Sequence, residues 1–230
     1  MTDRDAPLRF HEELLLLILR DEKGTVDHRA GMYHYALAGG ILAELLLAGR
    51  ISVDDDKKKL VTALDAKPLG EPVLDDCLVR IRDAKRRQRL LTWVMRFAQL
   101  RNLRHRIAAG LCRRGVLKES EDKILFFFTR KLYPETDHRY EERIVERLRK
   151  AIFTETSDVD PRTAALASLA SGAELLTIPF DKKELRGRKQ RIKQLTADDL
   201  LGRAVGEAVR AAKAAAVAAC ACAASAGAIG

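Results

Sequence analysis

At 230 residues, with 47% hydrophobic and 33% charged positions, the chain can bury a core and has the composition of a folded, soluble, mostly helical protein. A formal net charge of +9 favours a polyanionic partner, either nucleic acid or an anionic lipid surface. The cysteines Cys77, Cys112, Cys220 and Cys222 have no metal-ligand spacing. Acids near the start rule out a signal peptide, and Lys213 in the Ala-rich end argues against a transmembrane helix.

In chain order, Leu8–Asp21 reads as a first helix whose Leu14–Leu19 run demands burial on most sides, with Gly24 ending it. His28–Gly49 is helical in pattern, with a break expected at Gly39–Gly40 and a strongly apolar Ile41–Ala48. Arg50–Val53 and Leu60–Leu64 flank the polar Asp54–Lys59 and predict a small hairpin. Val73–Asp83 and Leu90–Ala98 follow as helices, joined by a cationic run Lys85–Arg89 that reads as a solvated face.

The stretch Gln99–Pro134 organises the rest. Leu100, Leu103, Ile107 and Leu111 form an apolar helical stripe, while Arg101, Arg104 and His105 fall on another face. Gly115 ends that helix. Val116–Leu117 and Ile124–Thr129 then predict a hairpin around a charged turn, Lys118–Lys123. Its return strand carries Ile124, Leu125, Phe126, Phe127 and Phe128 in succession, so alternation buries one set and exposes the other. Beyond it, Tyr140–Phe153 is an amphipathic helix. A helix starting at Asp160-Pro161 runs through Leu176, and Lys182–Leu195 is very basic. Thr196 caps a last helix into the Ala-rich tail. The order helix, glycine, hairpin occurs twice, at Ile41–Leu64 and at Leu100–Phe128, as a weak repetition of a winged-helix-like unit.

The fold expected is mainly α, a single helical domain around a hydrophobic helix core, with two short β-hairpins, one of them apolar and membrane-facing. The sequence shows no Gly-rich phosphate loop, no Gly-x-Ser-x-Gly and no His-Glu-x-x-His, so nothing asks for an enzyme, a cofactor or a metal. His11 and His34 read as structural or surface histidines.

Several segments occur in the order seen in one known family. They are Leu14–Leu19 with Arg20-Asp21, Glu44–Arg50, Leu100-Arg101-Asn102-Leu103-Arg104 with Arg106, Gly115-Val116-Leu117, Asp160-Pro161-Arg162 and Arg191–Leu195. In them the chain resembles the Golgi phosphoprotein 3 family, in a divergent or bacterial-type form, over a domain at 8–217 followed by an Ala-rich tail at 218–230. The resemblance implies a helical fold that docks on membranes by recognising phosphatidylinositol 4-phosphate on a basic face and inserting a hydrophobic hairpin. It implies no enzyme activity. A place on the cytosolic face of the Golgi goes with it, or on the inner face of the plasma membrane in a bacterium. The partners it points to are an anionic phospholipid membrane, the cytosolic tails of membrane enzymes, and further copies of the chain.

Arg101 and Arg104 match the family's two basic positions in this helix. Counting from Gly24, its pocket tryptophan falls on Arg29 and its pocket arginine on Ala38. The headgroup set expected is therefore Arg101, Arg104, Arg29 and His105, with Leu125, Phe126, Phe127 and Phe128 as the inserting hairpin. Losing the aromatic wall and one arginine should leave only a weak preference among anionic lipids. The competing reading is a winged-helix nucleic-acid binder, with Arg101, Arg104, Arg106, Arg113 and Arg114 on phosphates. Against it, Ile41–Ala48 offers no base-reading side chains and the second hairpin is too apolar for a DNA wing.

Overall fold

The computed structural model describes residues 6–20, 24–54, 56–124, 128–156, 158–196, 218–219 and 221–222. The expected helix after Thr196, Asp198-Asp199, Cys220 and Leu125–Phe127 lie outside the described residues, as does the side chain of Phe128.

Helix α1 (Phe10–Ile18) is buried along its whole length. A run that is apolar on every side is stable only when wrapped, and α2 (Tyr33–Leu47), α5 (Leu103–Arg113), α6 (Arg139–Phe153) and α7 (Pro161–Gly172) surround it. The helix stops earlier than its composition suggests. Leu19 turns extended, and β1 (Leu19–Arg20) pairs with β2 (Thr25–Val26), so the Leu8–Asp21 helix is corrected to a shorter helix and an extra strand. Gly24, at φ +57°, makes the turn back.

The break expected at Gly39–Gly40 does not occur, and the stretch before Tyr33 is turn, not helix. A Cβ at Gly40 would come within 2.9 Å of the His11 backbone nitrogen and 3.1 Å of Leu14 Cδ1. Gly40 lets α1 and α2 cross at close range, and that tertiary contact outweighs the poor helix propensity of the pair. After α2, Gly49 at φ +64° leads into β3 (Ile51–Val53) and β4 (Val61–Ala63), close to the predicted hairpin.

Helices α3 (Pro72–Arg82) and α4 (Leu90–Ala98) follow as expected, α3 capped by the Glu71 carboxylate on the Val73 and Leu74 N–H groups. Helix α7 begins as predicted, with the Asp160 side chain accepting from Thr163 N–H, but ends at Gly172; Leu175–Thr177 is a separate 3-10 turn. The single basic helix at Lys182–Leu195 is two helices, α8 (Lys182–Gly187) and α9 (Lys189–Thr196). Arg191 turns inward from α9 and donates to the carbonyls of Ala151 and Thr156 at the end of α6, a demand that one straight helix need not meet. The architecture is mainly α around one core cluster, with three two-stranded antiparallel sheets among the described residues, one more than expected.

Candidate functional site

The corner between α4 and α5 sets the candidate site. Leu100 N–H bonds to Phe97 O and Leu103 N–H to Leu100 O, so the chain tightens into turns before α5 begins. Asn102 takes the left-handed conformation at φ +58°, which asparagine tolerates better than most residues. Arg101 therefore stands outside α5, and the single helix through Leu100, Arg101, Arg104 and His105 is corrected: Arg104 and His105 open the helix, Arg101 precedes it. Arg101 is exposed and lines an open hollow of about 630 Å³ together with Arg80, Asp83, Trp93, Arg96 and Phe97. Arg104 turns the other way.

Arg104 donates through Nη2 to His105 Nε2 at 3.1 Å, and His105 Nδ1 lies 2.9 Å from the Tyr133 hydroxyl. Arginine has no acceptor, so Nε2 must accept and the proton of the neutral ring sits on Nδ1, donated to Tyr133. Burial, then the charges of Arg104 and Lys131, hold the His105 pKa below its ordinary value, against a smaller opposing effect of Glu119. The imidazole thus orients the guanidinium without competing for an anion at neutral pH. Tyr133 is positioned by the Gly24 turn, whose carbonyl accepts from Tyr133 N–H at 3.0 Å. A side chain at position 24 would collide with the Tyr133–Pro134 backbone.

Arg29 is placed apart from these groups. Its guanidinium grips Asp27 through Nε and Nη2 at 2.9 and 3.0 Å and donates through Nη1 to Thr177 O at 2.7 Å. That bidentate bond drives the Asp27 carboxyl far below the usual carboxylate range. Arg29 is thus already committed to a carboxylate, and Ala38 is fully buried.

The hairpin after Gly115 is present in another register from that expected. Val116 and Leu117 are buried, Leu117 bridging to Glu135, and the strands are β5 (Ser120–Ile124) and β6 (Phe128–Leu132). The charged segment read as a turn is most of the first strand. Opposite charges across the pair explain the register: Glu121 faces Lys131 and Asp122 faces Arg130, with an Asp122–Arg130 ion pair at 3.1 Å. Ile124 pairs with Phe128 at the end of the described ladder.

Tyr133, Arg80 and Arg96 were not anticipated as neighbours of the site. Only the Trp93–Arg96 spacing of three on one helix carried a signal, and Arg96 does sit 5.2 Å over the Trp93 ring. Most other arginines are committed. Arg114 pairs with Glu12 at 2.7 Å, Arg147 with Glu13 at 2.9 Å, and Arg162 with Glu44 at 2.5 Å, all around the buried start of α1. Among the described residues no group of His, Cys, Asp or Glu is placed to hold a metal, and no helix is long and apolar enough to cross a membrane.

Comparison with known proteins gives the following. The family described as Golgi phosphoprotein 3 (GPP34) matches the chain over residues 10–212. The vacuolar protein sorting-associated protein 74 of Eremothecium gossypii is 28% identical over 218 residues, covering 79% of this chain and 65% of that protein. The protein of the same name from Schizosaccharomyces pombe is 26% identical over 231 residues, covering 86% of this chain and 67% of its own length. The chain thus spans about two thirds of the length of these relatives.

Proposed function

The chain belongs to the Golgi phosphoprotein 3 family, and from that premise we propose that it is a non-enzymatic, peripheral membrane adaptor of Golgi trafficking, recruited to anionic lipid. The domain at 8–217 carries the lipid contact, with Arg104 and the His105–Tyr133 pair holding a headgroup phosphate, Arg101 adding a cation on the other side of the α4–α5 corner, and the apolar Leu125–Phe128 stretch entering the leaflet. The observation that supports this best is the state of the arginines. Arg101 and Arg104 have no carboxylate partner among the described residues, on a chain where Arg29, Arg87, Arg106, Arg114, Arg147 and Arg162 are all paired. Cations without a carboxylate partner, on a chain that also carries the apolar Leu125–Phe128 run, suit a charged surface with a hydrocarbon interior.

Magnitudes fit reversible recruitment. A basic side chain at an anionic leaflet is worth about 1 kcal/mol, so Arg101, Arg104 and two neighbours supply roughly 4 kcal/mol. Two or three partly inserted apolar side chains add about 3–5 kcal/mol. Together they reach the roughly 8 kcal/mol of micromolar binding, which neither half reaches alone. Arg29 locked on Asp27 and Ala38 in the core favour binding by charge density, with phosphatidylinositol 4-phosphate bound but weakly preferred. The clients on this reading are cytosolic tails of membrane enzymes, and self-association would raise avidity. The nucleic-acid alternative loses ground to burial: ten residues of α2, from Ala36 to Leu46, are inside, so that helix has no face for a groove.

Sedimentation with vesicles matched in total charge but differing in headgroup tests the reading. Binding should need anionic lipid, fall steeply with salt, and vanish in the Arg101→Glu/Arg104→Glu double variant while the melting temperature holds. A preference of about tenfold or more for phosphatidylinositol 4-phosphate, worth about 1.4 kcal/mol, would mean that a selective pocket exists despite Arg29 and Ala38. A parallel duplex-DNA shift should be negative.

A further inference from the structure

Helices α1 and α3 begin, and α5 ends, around a cavity of about 320 Å³ whose walls include Arg9, Glu12, Glu71, Gly110, Arg113 and Arg114. None of the residues assigned to the headgroup lines it, and Arg113 stands nine residues beyond Arg104, roughly 14 Å along the helix. The carboxylates of the cavity are already answered. Glu12 Oε2 accepts from Arg114 Nη1 at 2.7 Å and from Arg9 N–H at 2.8 Å. Glu71 accepts from the Val73 and Leu74 N–H groups at 3.2 and 2.7 Å. The end of α5 is answered too, since the Gly110, Leu111 and Cys112 carbonyls accept from the N–H groups of Arg114, Val116 and Gly115. The guanidiniums of Arg9 and Arg113 have no carboxylate partner among the described residues.

Gly110 keeps the space open. A Cβ there would find Arg113 Nη2 at 3.7 Å and Glu71 Oε1 at 3.9 Å and nothing nearer, so packing does not demand a glycine inside this helix. A donor fork and an acceptor therefore border one empty position without pairing with each other. Next to Glu71, the fully buried His11 ring has neither nitrogen hydrogen-bonded, its Nε2 lying 3.6 Å from Glu71 Oε2.

We propose that this cavity binds a small soluble phosphate monoester, its phosphate held by Arg9 and Arg113 and a hydroxyl of its alcohol portion donated to Glu71 Oε1. The inference goes beyond the lipid-binding reading and does not depend on it. Two planar guanidinium forks match the charge and the several oxygens of a phosphate, and the positive ends of α1 and α3 add to the same field. Burial holds the Glu71 carboxyl above its ordinary pKa, which suits a group that shares a hydrogen with a ligand. The source is soluble because the large exposed apolar side chains of the described residues, Leu64, Val79, Leu91 and Met95, all lie outside the cavity wall. Nothing there is built to enter a leaflet. The volume of about 320 Å³ is at the low end of small-molecule clefts, roughly 300–1,000 Å³, and admits a phosphate on a short carbon chain.

The test is calorimetric titration of the full chain with inorganic phosphate and with glycerol 3-phosphate, at constant ionic strength against chloride. The His11 ring signals are followed in parallel by nuclear magnetic resonance. Saturable binding is expected at about 1 mM or tighter, with the ester preferred over inorganic phosphate and the His11 signals shifting on binding. Arg9→Gln and Arg113→Gln should each weaken it about tenfold. Gly110→Leu should fill the cavity and abolish binding, while the melting temperature holds or rises because a glycine leaves a helix interior. The Arg101→Glu/Arg104→Glu variant should bind the ester unchanged. Heats that do not saturate, equal affinity for the ester and inorganic phosphate, or undiminished binding in Arg113→Gln and Gly110→Leu overturn the proposal. Binding lost in Arg101→Glu/Arg104→Glu but kept in Arg113→Gln also overturns it, by placing the phosphate at the α4–α5 corner. Vesicle sedimentation reads the lipid contact separately, so either conclusion can fail alone.

Discussion

Two stretches of this molecule are built on one local plan, and they end in opposite places. Each is a helix closed by a left-handed glycine and followed by an antiparallel hairpin: α2, Gly49 and β3–β4, then α5, Gly115 and β5–β6. In the first, ten of the fifteen helical residues are buried, and the hairpin is fastened by Arg87 to Asp54 at 2.8 Å and by Arg50 to Asp65 at 2.5 Å. In the second, the helix buries five of its eleven residues and leaves Arg104 and His105 half-open; its longer strands carry ion pairs that face solvent. Local grammar sets the shape of the unit, and the amount of surrounding protein sets whether it holds the core or meets a partner.

The sharpest way to break that comparison is truncation in both helices. Leu42→Ala, in the fully buried face of α2, should cost about 2–5 kcal/mol of stability and leave vesicle binding of the folded protein unchanged. Arg104→Ala in α5 should cost no more than about 0.5 kcal/mol in a denaturant titration while weakening binding. Equal stability losses would show that the two units share the core after all.

Acid separates the units next, through His11, which packs on the first from α1, and His105 in the second. His11, fully buried against Gly40 of the first unit, has its pKa lowered to about 3 by burial and then by Arg9, Arg162 and Arg114. The unfolded chain takes up that proton near pH 6.5 and the folded chain only near 3, so this contribution to stability is full above 6.5 and is lost as the pH falls through the window between. Glu13 works the other way, its pKa raised chiefly by burial, so its protonation in acid relieves a penalty. Thermal melts of His11→Leu should lose the stability decline across this window. His105 should act on binding instead. A proton on Nε2 turns the acceptor of Arg104 into a donor, releasing the guanidinium and adding charge, so affinity for anionic vesicles should rise as pH drops below the usual histidine range. Retention of that rise in His105→Gln would place the titrating group elsewhere.

The two glycines should behave alike, because their conformations do. Gly49→Ala and Gly115→Ala each force a Cβ into the left-handed region, at φ +64° and +70°, and should each cost about 1–2 kcal/mol. Smallest of all is the exposed ladder: Glu119→Gln or Asp122→Asn, which remove solvent-screened pairs with Lys131 and Arg130, should leave the denaturation midpoint nearly unchanged.

What the sequence determined by itself was the mainly helical class, several of the helices and the family. Apolar periodicity located α3, α4 and α6 within a residue or two, because burial of one stripe is written in composition, and the Asp160-Pro161 cap signal located the start of α7. The Arg101–Arg104 pair was legible as a motif. Tertiary structure alone decided the rest. Gly39–Gly40 looked like a break and lies inside one helix, where the facing backbone of His11 explains the missing side chain at Gly40. Charged residues after Gly115 looked like a turn and form a strand, because their partners Lys131 and Arg130 lie across the hairpin. Arg29 looked free, and is held by Asp27 and by Thr177, 148 positions along the chain. A sequence states which groups carry charge or apolar surface; which of them are already answered by another depends on distant segments meeting in space, and only a group left unanswered can serve a partner.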